Sequence, residues 1–147
     1  MNVITTFKEK QREKQVKYER KVLRELSIDQ LKKRVRQQFG HNRLFNLSFS
    51  EVLEEGCYDV GIEAYLLGAH FSKFGYHGES VDSVRQRCEP EEKHLIDTLF
   101  NFVLYWGKAE GDDHVSESLY YECEQYVDSW WRDGFMKGQK MYKMRLH

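Results

Sequence analysis

Glu91-Glu92-Lys93-His94 sets a carboxylate and an imidazole three residues apart. On a helix, Glu-x-x-His puts two metal ligands on one face, as in carboxylate-bridged di-metal bundles. Such a site needs a second Glu-x-x-His and further inward carboxylates, and the sequence holds no second copy. Glu63 and His70, seven residues apart, are the residues that would complete a mononuclear site with Glu91 and His94. The plainer reading is a solvated first turn with an ordinary histidine, because short isolated motifs recur by chance. Asp112-Asp113-His114 gathers two acids and an imidazole in a polar stretch, without a third group to complete a catalytic set. There is no G-x-S-x-G, no glycine-rich phosphate loop and no H-E-x-x-H. We therefore assign no catalytic, cofactor-binding or metal-binding residue, and expect no enzyme activity. A metal-dependent helical-bundle enzyme using Glu63, His70, Glu91 and His94 is the alternative from the enzyme class.

A second chemistry lies in the charge layout. Residues 1–50 hold 13 Lys/Arg against 5 Asp/Glu, residues 51–131 hold 5 against 18, and residues 132–147 hold 5 against 1. The blocks nearly cancel, leaving a formal net charge of −1. Blocks of opposite sign attract within one chain or between copies of it. Lys32, Lys33, Arg34 and Arg36 cluster in one short segment, which makes a nucleic-acid-associated protein a second alternative. Against it stand the acidic middle and a near-neutral balance, whereas phosphate contacts reward an uncompensated positive field. Nucleic acid is not expected as the partner.

The elements that must position these groups are helices. A single proline and ten glycines in 147 residues leave little punctuation for many short strands. The 40% hydrophobic and 14% aromatic content argue for a packed core and against disorder. Thr6-Phe7-Lys8-Glu9, Ser27-Ile28-Asp29-Gln30 and Ser48-Phe49-Ser50-Glu51 each read as a capping box, a hydroxyl at the N-cap and a carboxylate or amide three residues on. They predict helices over about 7–26, 28–39 and 49–74, with Gly40 at the end of the second. Shorter and longer helices are expected over about 80–88, 90–106 and from 116 towards the C-terminus. The expectation is an all-α, single-domain bundle of about five helices with a long C-terminal helix. Residues 1–47 form a basic helical segment that packs on a bundle of residues 48–147.

The helix faces carry further expectations. In the third helix Cys57, Gly61, Ala64 and Gly68 make a seam of small side chains, which suits close approach of a neighbouring backbone. Gly134-x-x-x-Gly138 reads as helix packing of the same kind, since its charged flanks do not suit lipid. The helix over 90–106 is apolar nearly all round in its second half and is expected to be the most buried. The C-terminal helix carries two stripes: Leu119, Cys123, Tyr126, Trp130, Gly134 and Met141 on one side, and Tyr120, Trp131, Phe135, Tyr142 and Leu146 on another. Two stripes need covering on two sides, by the first helix or by another subunit. The first helix has a narrow, partly polar stripe of Phe7, Gln11, Gln15, Tyr18, Val22 and Leu26, which implies weak docking aided by charge. The candidate interaction surface is Phe7, Gln11, Gln15, Tyr18, Val22, Tyr120, Trp131, Phe135 and Tyr142.

Compartment follows from small signals. Cys57, Cys88 and Cys123 are odd in number with no C-x-x-C, as expected of reduced, buried thiols. The start, MNVITTFKEK, shows no charged region before an apolar one, so no signal peptide is expected. The longest apolar stretch, 99–106, is far short of the roughly 20 residues of a membrane span.

The segments FKEKQREKQVKYERKVLREL, GIEAYLLGAHFSKFGYHG and DSWWRDGFMKGQKMYKMRLH resemble a family of small proteins of unknown function from Bacillus and related spore-forming Gram-positive bacteria. The likeness spans nearly the whole chain and implies a cytoplasmic bacterial protein. It implies no activity, cofactor or site residue. The expected function is a cytoplasmic helical interaction protein, an adaptor or regulator, that self-associates as a dimer and has no cofactor and no membrane association.

Overall fold

A computed structural model describes residues 3–40, 50–107 and 113–145. Six helices follow one another among these residues: α1 (Val3–Leu23), α2 (Ile28–Phe39), α3 (Ser50–Tyr76), α4 (Val81–Arg87), α5 (Glu89–Gly107) and α6 (Asp113–Arg145). No strand occurs among them. The protein is all-α, and its C-terminal helix is the longest of those described.

Local chemistry sets several of the helix ends. At α2 the capping box is complete: Ser27 Oγ accepts from Gln30 N–H at 3.2 Å and Gln30 Oε1 accepts from Ser27 N–H at 3.0 Å. Ser80 caps α4 by accepting from Ser83 N–H. α3 ends where Gly78 takes a φ of 106°, a conformation that side chains disfavour. The main chain closes there by Glu79 N–H to Phe74 O and Gly78 N–H to Gly75 O, the paired bonds of a glycine-terminated helix. Gly40 ends α2 in the ordinary right-handed region instead. Two expected starts shift. α1 begins at Val3, so Thr6 lies inside the helix and does not cap it. Val and Ile cost a helix only a few tenths of a kcal/mol, so nothing in Val3-Ile4-Thr5 stops the helix upstream. α6 begins at Asp113, ahead of Ser116. The box at Ser48 lies outside the described residues.

The centre is the pair α3–α6, which share the most extensive contact in the chain. Their axes come close because small residues face small residues. A Cβ at Gly68 would meet the Trp131 carbonyl and the Phe135 N–H, and one at Gly134 would meet the Tyr65 carbonyl. Gly138 rests against Ser72 and Ala69 in the same seam. The Gly134-x-x-x-Gly138 spacing is therefore a packing feature within one chain. Around it Leu53, Cys57, Ala64, Leu119, Tyr126, Val127 and Trp130 are buried. Tyr126 Oη donates to the Cys57 carbonyl at 2.7 Å, crossing between the two helices.

The expectation that the 90–106 helix would be the most buried is overturned. α5 buries Leu99, Val103 and Glu92 but leaves Tyr105 69% and Trp106 45% exposed. Bulky rings hold a neighbour at a distance, whereas the glycine seam lets α3 and α6 close on each other. α5 packs on their flank, with Phe102 filling the space left by Gly56. α2 closes another side through Leu31, Val35 and Phe39, while Ile28 in its first turn is 63% exposed. α4 covers the far side of α6 with Val84, which joins Cys88, Trp131 and Phe135 in a second cluster.

Candidate functional site

The second half of α1 anchors it to the bundle. Val22 is fully buried, and Tyr18, Leu23 and Leu26 pack against the core. Tyr18 Oη donates to the Ala69 carbonyl of α3 at 3.0 Å, and burial pushes that phenol up. Lys137 of α6 pairs with Glu25 just beyond the helix at 2.8 Å. Residues 7–17, by contrast, are exposed without exception.

Two clefts open along this helix and share Gln15 and His70. The first, about 530 Å³, is lined by Glu63, His70, Glu91 and His94, together with Glu19 of α1. The four residues singled out by their spacing thus lie around one cleft, brought there by α3 and α5. Among the described residues, however, no three His, Cys, Asp or Glu side chains gather as a metal ion requires. The cleft offers carboxylates and imidazoles for hydrogen bonding, with leucine walls from Leu66, Leu67 and Leu95.

The second cleft, about 690 Å³, has the opposite character. Lys14, Lys17 and Lys21 of α1, Lys73 of α3 and Arg145 of α6 line it, with no carboxylate among the described lining residues. Tyr18, Tyr142, Met141 and Met144 supply its apolar wall. Tyr142 is stacked on Tyr76 with ring centroids 5.6 Å apart. This basic cleft draws on α1, α3 and α6, so no local motif announces it. The lysine spacing at 14, 17 and 21, which keeps one helix side basic, is the available signal.

A charged cluster was also missed. Glu92, placed by its sequence position in a solvated first turn, is buried. Arg85 reaches Asp128 at 2.7 Å and Glu92 at 3.5 Å, and Arg132 joins Asp128 at 3.0 Å. Burial raises the Glu92 carboxyl above the usual range, with Arg85 opposing the shift. The Oε1 atom of Glu92 has no hydrogen-bond partner among the described residues. Charged residues so close to a proline-marked helix start read as exposed, whereas Arg85 of α4 and Asp128 and Arg132 of α6 surround this one.

The nine residues expected to form an interaction surface do not share a face. Phe7, Gln11 and Gln15 are exposed on α1. Tyr18 and Tyr142 line the basic cleft, and Tyr120 lines a cleft beside Glu92, donating to Asp97 at 3.1 Å. Val22, Trp131 and Phe135 are buried within the chain. Trp131 stacks on Phe135 at 5.1 Å beneath α4, so the second stripe of α6 is covered in cis where this tryptophan and phenylalanine lie. Of the basic group on α2, Arg34 is engaged internally: it pairs with Asp133 at 2.5 Å and lies 4.2 Å over the Trp130 ring. The three thiols are buried and unpaired, and burial pushes Cys57 up to about 12 and Cys88 up to about 11. They are not poised as nucleophiles.

A family model described as a protein of unknown function, DUF2521, matches residues 1–147. The chain belongs to this family. Over 146 residues, 99% of each chain, it is 31% identical to the uncharacterized protein YbaK of Bacillus subtilis (strain 168). The resemblance seen in the sequence is thus to a DUF2521 family with a Bacillus member. No solved structure matches the chain. No helix among the described residues is long and apolar enough to cross a membrane.

Proposed function

We propose that this DUF2521 protein is a helical interaction protein, an adaptor or regulator, that self-associates through the first half of α1. The observation that carries the reading is the exposure of every residue from 7 to 17 in a helix. Isolated helices of this length are marginal in water, and tertiary packing normally supplies their stability. Phe7 is 62% exposed. A partner would give this segment the packing it lacks.

A second copy fits by charge. Residues 7–17 hold five basic and two acidic side chains. On α3, Glu51, Glu55, Asp59 and Glu63 are all exposed at four-residue steps and form an acidic ridge. Two copies related by a twofold axis place the basic segment of each on the acidic ridge of the other, a closed arrangement. The buried, unpaired thiols accord with a reducing cytoplasm.

Charge reversal tests the pairing. Lys10→Glu/Arg12→Glu and Glu55→Lys/Asp59→Lys are each expected to be monomeric by light scattering, and an equimolar mixture is expected to dimerise. A wild-type monomer at about 100 μM and low salt, a concentration that reveals even weak association, overturns the self-association reading.

A further inference from the structure

The basic cleft brings together cations without an ion pair among the described residues, although Lys73 lies 5.2 Å from the centre of the Phe74 ring. Arg34, Arg85, Arg87, Arg132 and Lys137 all form ion pairs with carboxylates. None of the ion pairs among the described residues uses Lys14, Lys17, Lys21, Lys73 or Arg145. Lysines on a merely solvated helix side would point away from the rest of the fold. Here three of them line a concave surface together with cations from two helices distant in sequence. Like charges so gathered repel, and a bound anion removes that cost. The carboxylates of Glu19, Glu63 and Glu91 line the neighbouring cleft instead.

The remaining wall narrows the ligand. Tyr142 is held by its stacking on Tyr76, and Tyr18 by its hydrogen bond to Ala69. Met141 and Met144 extend this apolar side. A simple inorganic anion would use the lysines and leave the aromatic wall idle. A ligand with several phosphates and a flat ring would use both. The volume of about 690 Å³ is in the range of sites for compact small molecules.

We propose that the cleft between α1, α3 and α6 binds a nucleoside polyphosphate, with its phosphates on the lysines and Arg145 and its base against Tyr142. Lys14 and Lys17 also belong to the basic segment 7–17, so a bound polyphosphate and a docked second copy compete for them, and ATP binding is expected to persist in the monomeric Lys10→Glu/Arg12→Glu variant. Phosphate oxygens accept charge-assisted hydrogen bonds from lysine ammonium groups and from the arginine fork. The base needs only a flat apolar face, which gives modest selectivity among bases.

Calorimetric titration of the full chain with ATP, and separately with inorganic tripolyphosphate, tests this. ATP is expected to bind with a dissociation constant in the micromolar range, and tripolyphosphate at least about tenfold more weakly. Lys17→Glu is expected to weaken both about tenfold or more, since it replaces a donor with a repelling charge. Tyr142→Ala is expected to weaken ATP and leave tripolyphosphate unchanged. Thermal unfolding of each variant establishes that it is folded, and Lys17, being exposed, leaves the core untouched. No ATP binding at about 1 mM, or equal affinity for ATP in the wild type and Lys17→Glu, overturns the site. Tripolyphosphate binding as tightly as ATP, with Tyr142→Ala silent, overturns the nucleoside part of the proposal.

Discussion

Gly134 of α6 lies directly against the main-chain carbonyl of Tyr65 on α3. A methyl group there meets backbone, which cannot swing aside as a side chain can. Gly134→Ala is therefore expected to force the two central helices apart and destabilise the fold by about 3 kcal/mol, the upper end of overpacking costs. Gly78→Ala makes the contrast, because nothing lies within 4 Å of its would-be Cβ and only its φ of 106° resists substitution. It is expected to cost about 1 kcal/mol. Urea unfolding followed by circular dichroism measures both. Equal losses would show that close approach at Gly134 is not limiting.

Arg34 makes three contacts with α6, to Asp133, to Ser129 and over the Trp130 ring. The Arg34 and Asp133 side chains remain partly exposed, at 27% and 45%, so water screens the pair. A double-mutant cycle with Arg34→Ala and Asp133→Ala is expected to give a coupling of about 0.5–1 kcal/mol. Arg34→Ala alone should cost more than Asp133→Ala, since it also uncovers Trp130. The reverse order would mean that the ring contact contributes little.

Glu92 gives a pH signature. Its folded carboxyl is raised by burial, against the pull of Arg85. The folded state therefore favours the protonated form, and the stability from this group is complete below the ordinary carboxylate range. It is lost as pH rises through the raised folded value. Glu92→Gln keeps the shape without the charge, so the variant is expected to match the wild type near pH 4. At pH 7 it should exceed it by about 3 °C in Tm, equivalent to about 1 kcal/mol in a chain of this length. Thermal scans at the two pH values decide it. A variant less stable than the wild type at pH 7 would show that the Arg85 contact outweighs the burial cost.

The two halves of α1 should differ in hydrogen exchange. Tyr18 and Val22 are tied to the body of the bundle, while residues 7–17 meet solvent throughout. Amides of 18–23 are expected to be protected at any protein concentration. Those of 7–17 should exchange quickly when dilute, gain protection as concentration rises, and lose it in high salt, which screens surface charge. Protection of 7–17 equal to that of Leu99 and Val103 in dilute protein would make the whole of α1 ordinary core.

Most helix positions were legible because they rest on local chemistry. The capping box at Ser27 and the proline near the start of α5 act within one turn of chain. The small-residue seam of α3 was also legible, since glycine inside a helix is costly unless something approaches closely. What that something was, and which element would be innermost, was not. α5 looks more apolar than α6, yet α6 holds the centre because Gly134 and Gly138 permit contact that the rings of α5 forbid.

The sites show the same division. Spacing marked Glu63, His70, Glu91 and His94, and the fold does bring them to one cleft, without gathering three of them as a metal would require. The burial of Glu92 left no pattern to read, and the basic cleft left only the lysine spacing of α1, because each joins residues from helices far apart in the chain. By itself the sequence determined the all-helical class, most helix limits and the membership of its family, all properties of near neighbours or of the chain as a whole. Only the tertiary structure decided that Trp131 and Phe135 face inward, that Arg34 is spent on Trp130, and that five cations share one cleft. Helical periodicity states which side chains share a face, and it does not state which neighbour that face will meet.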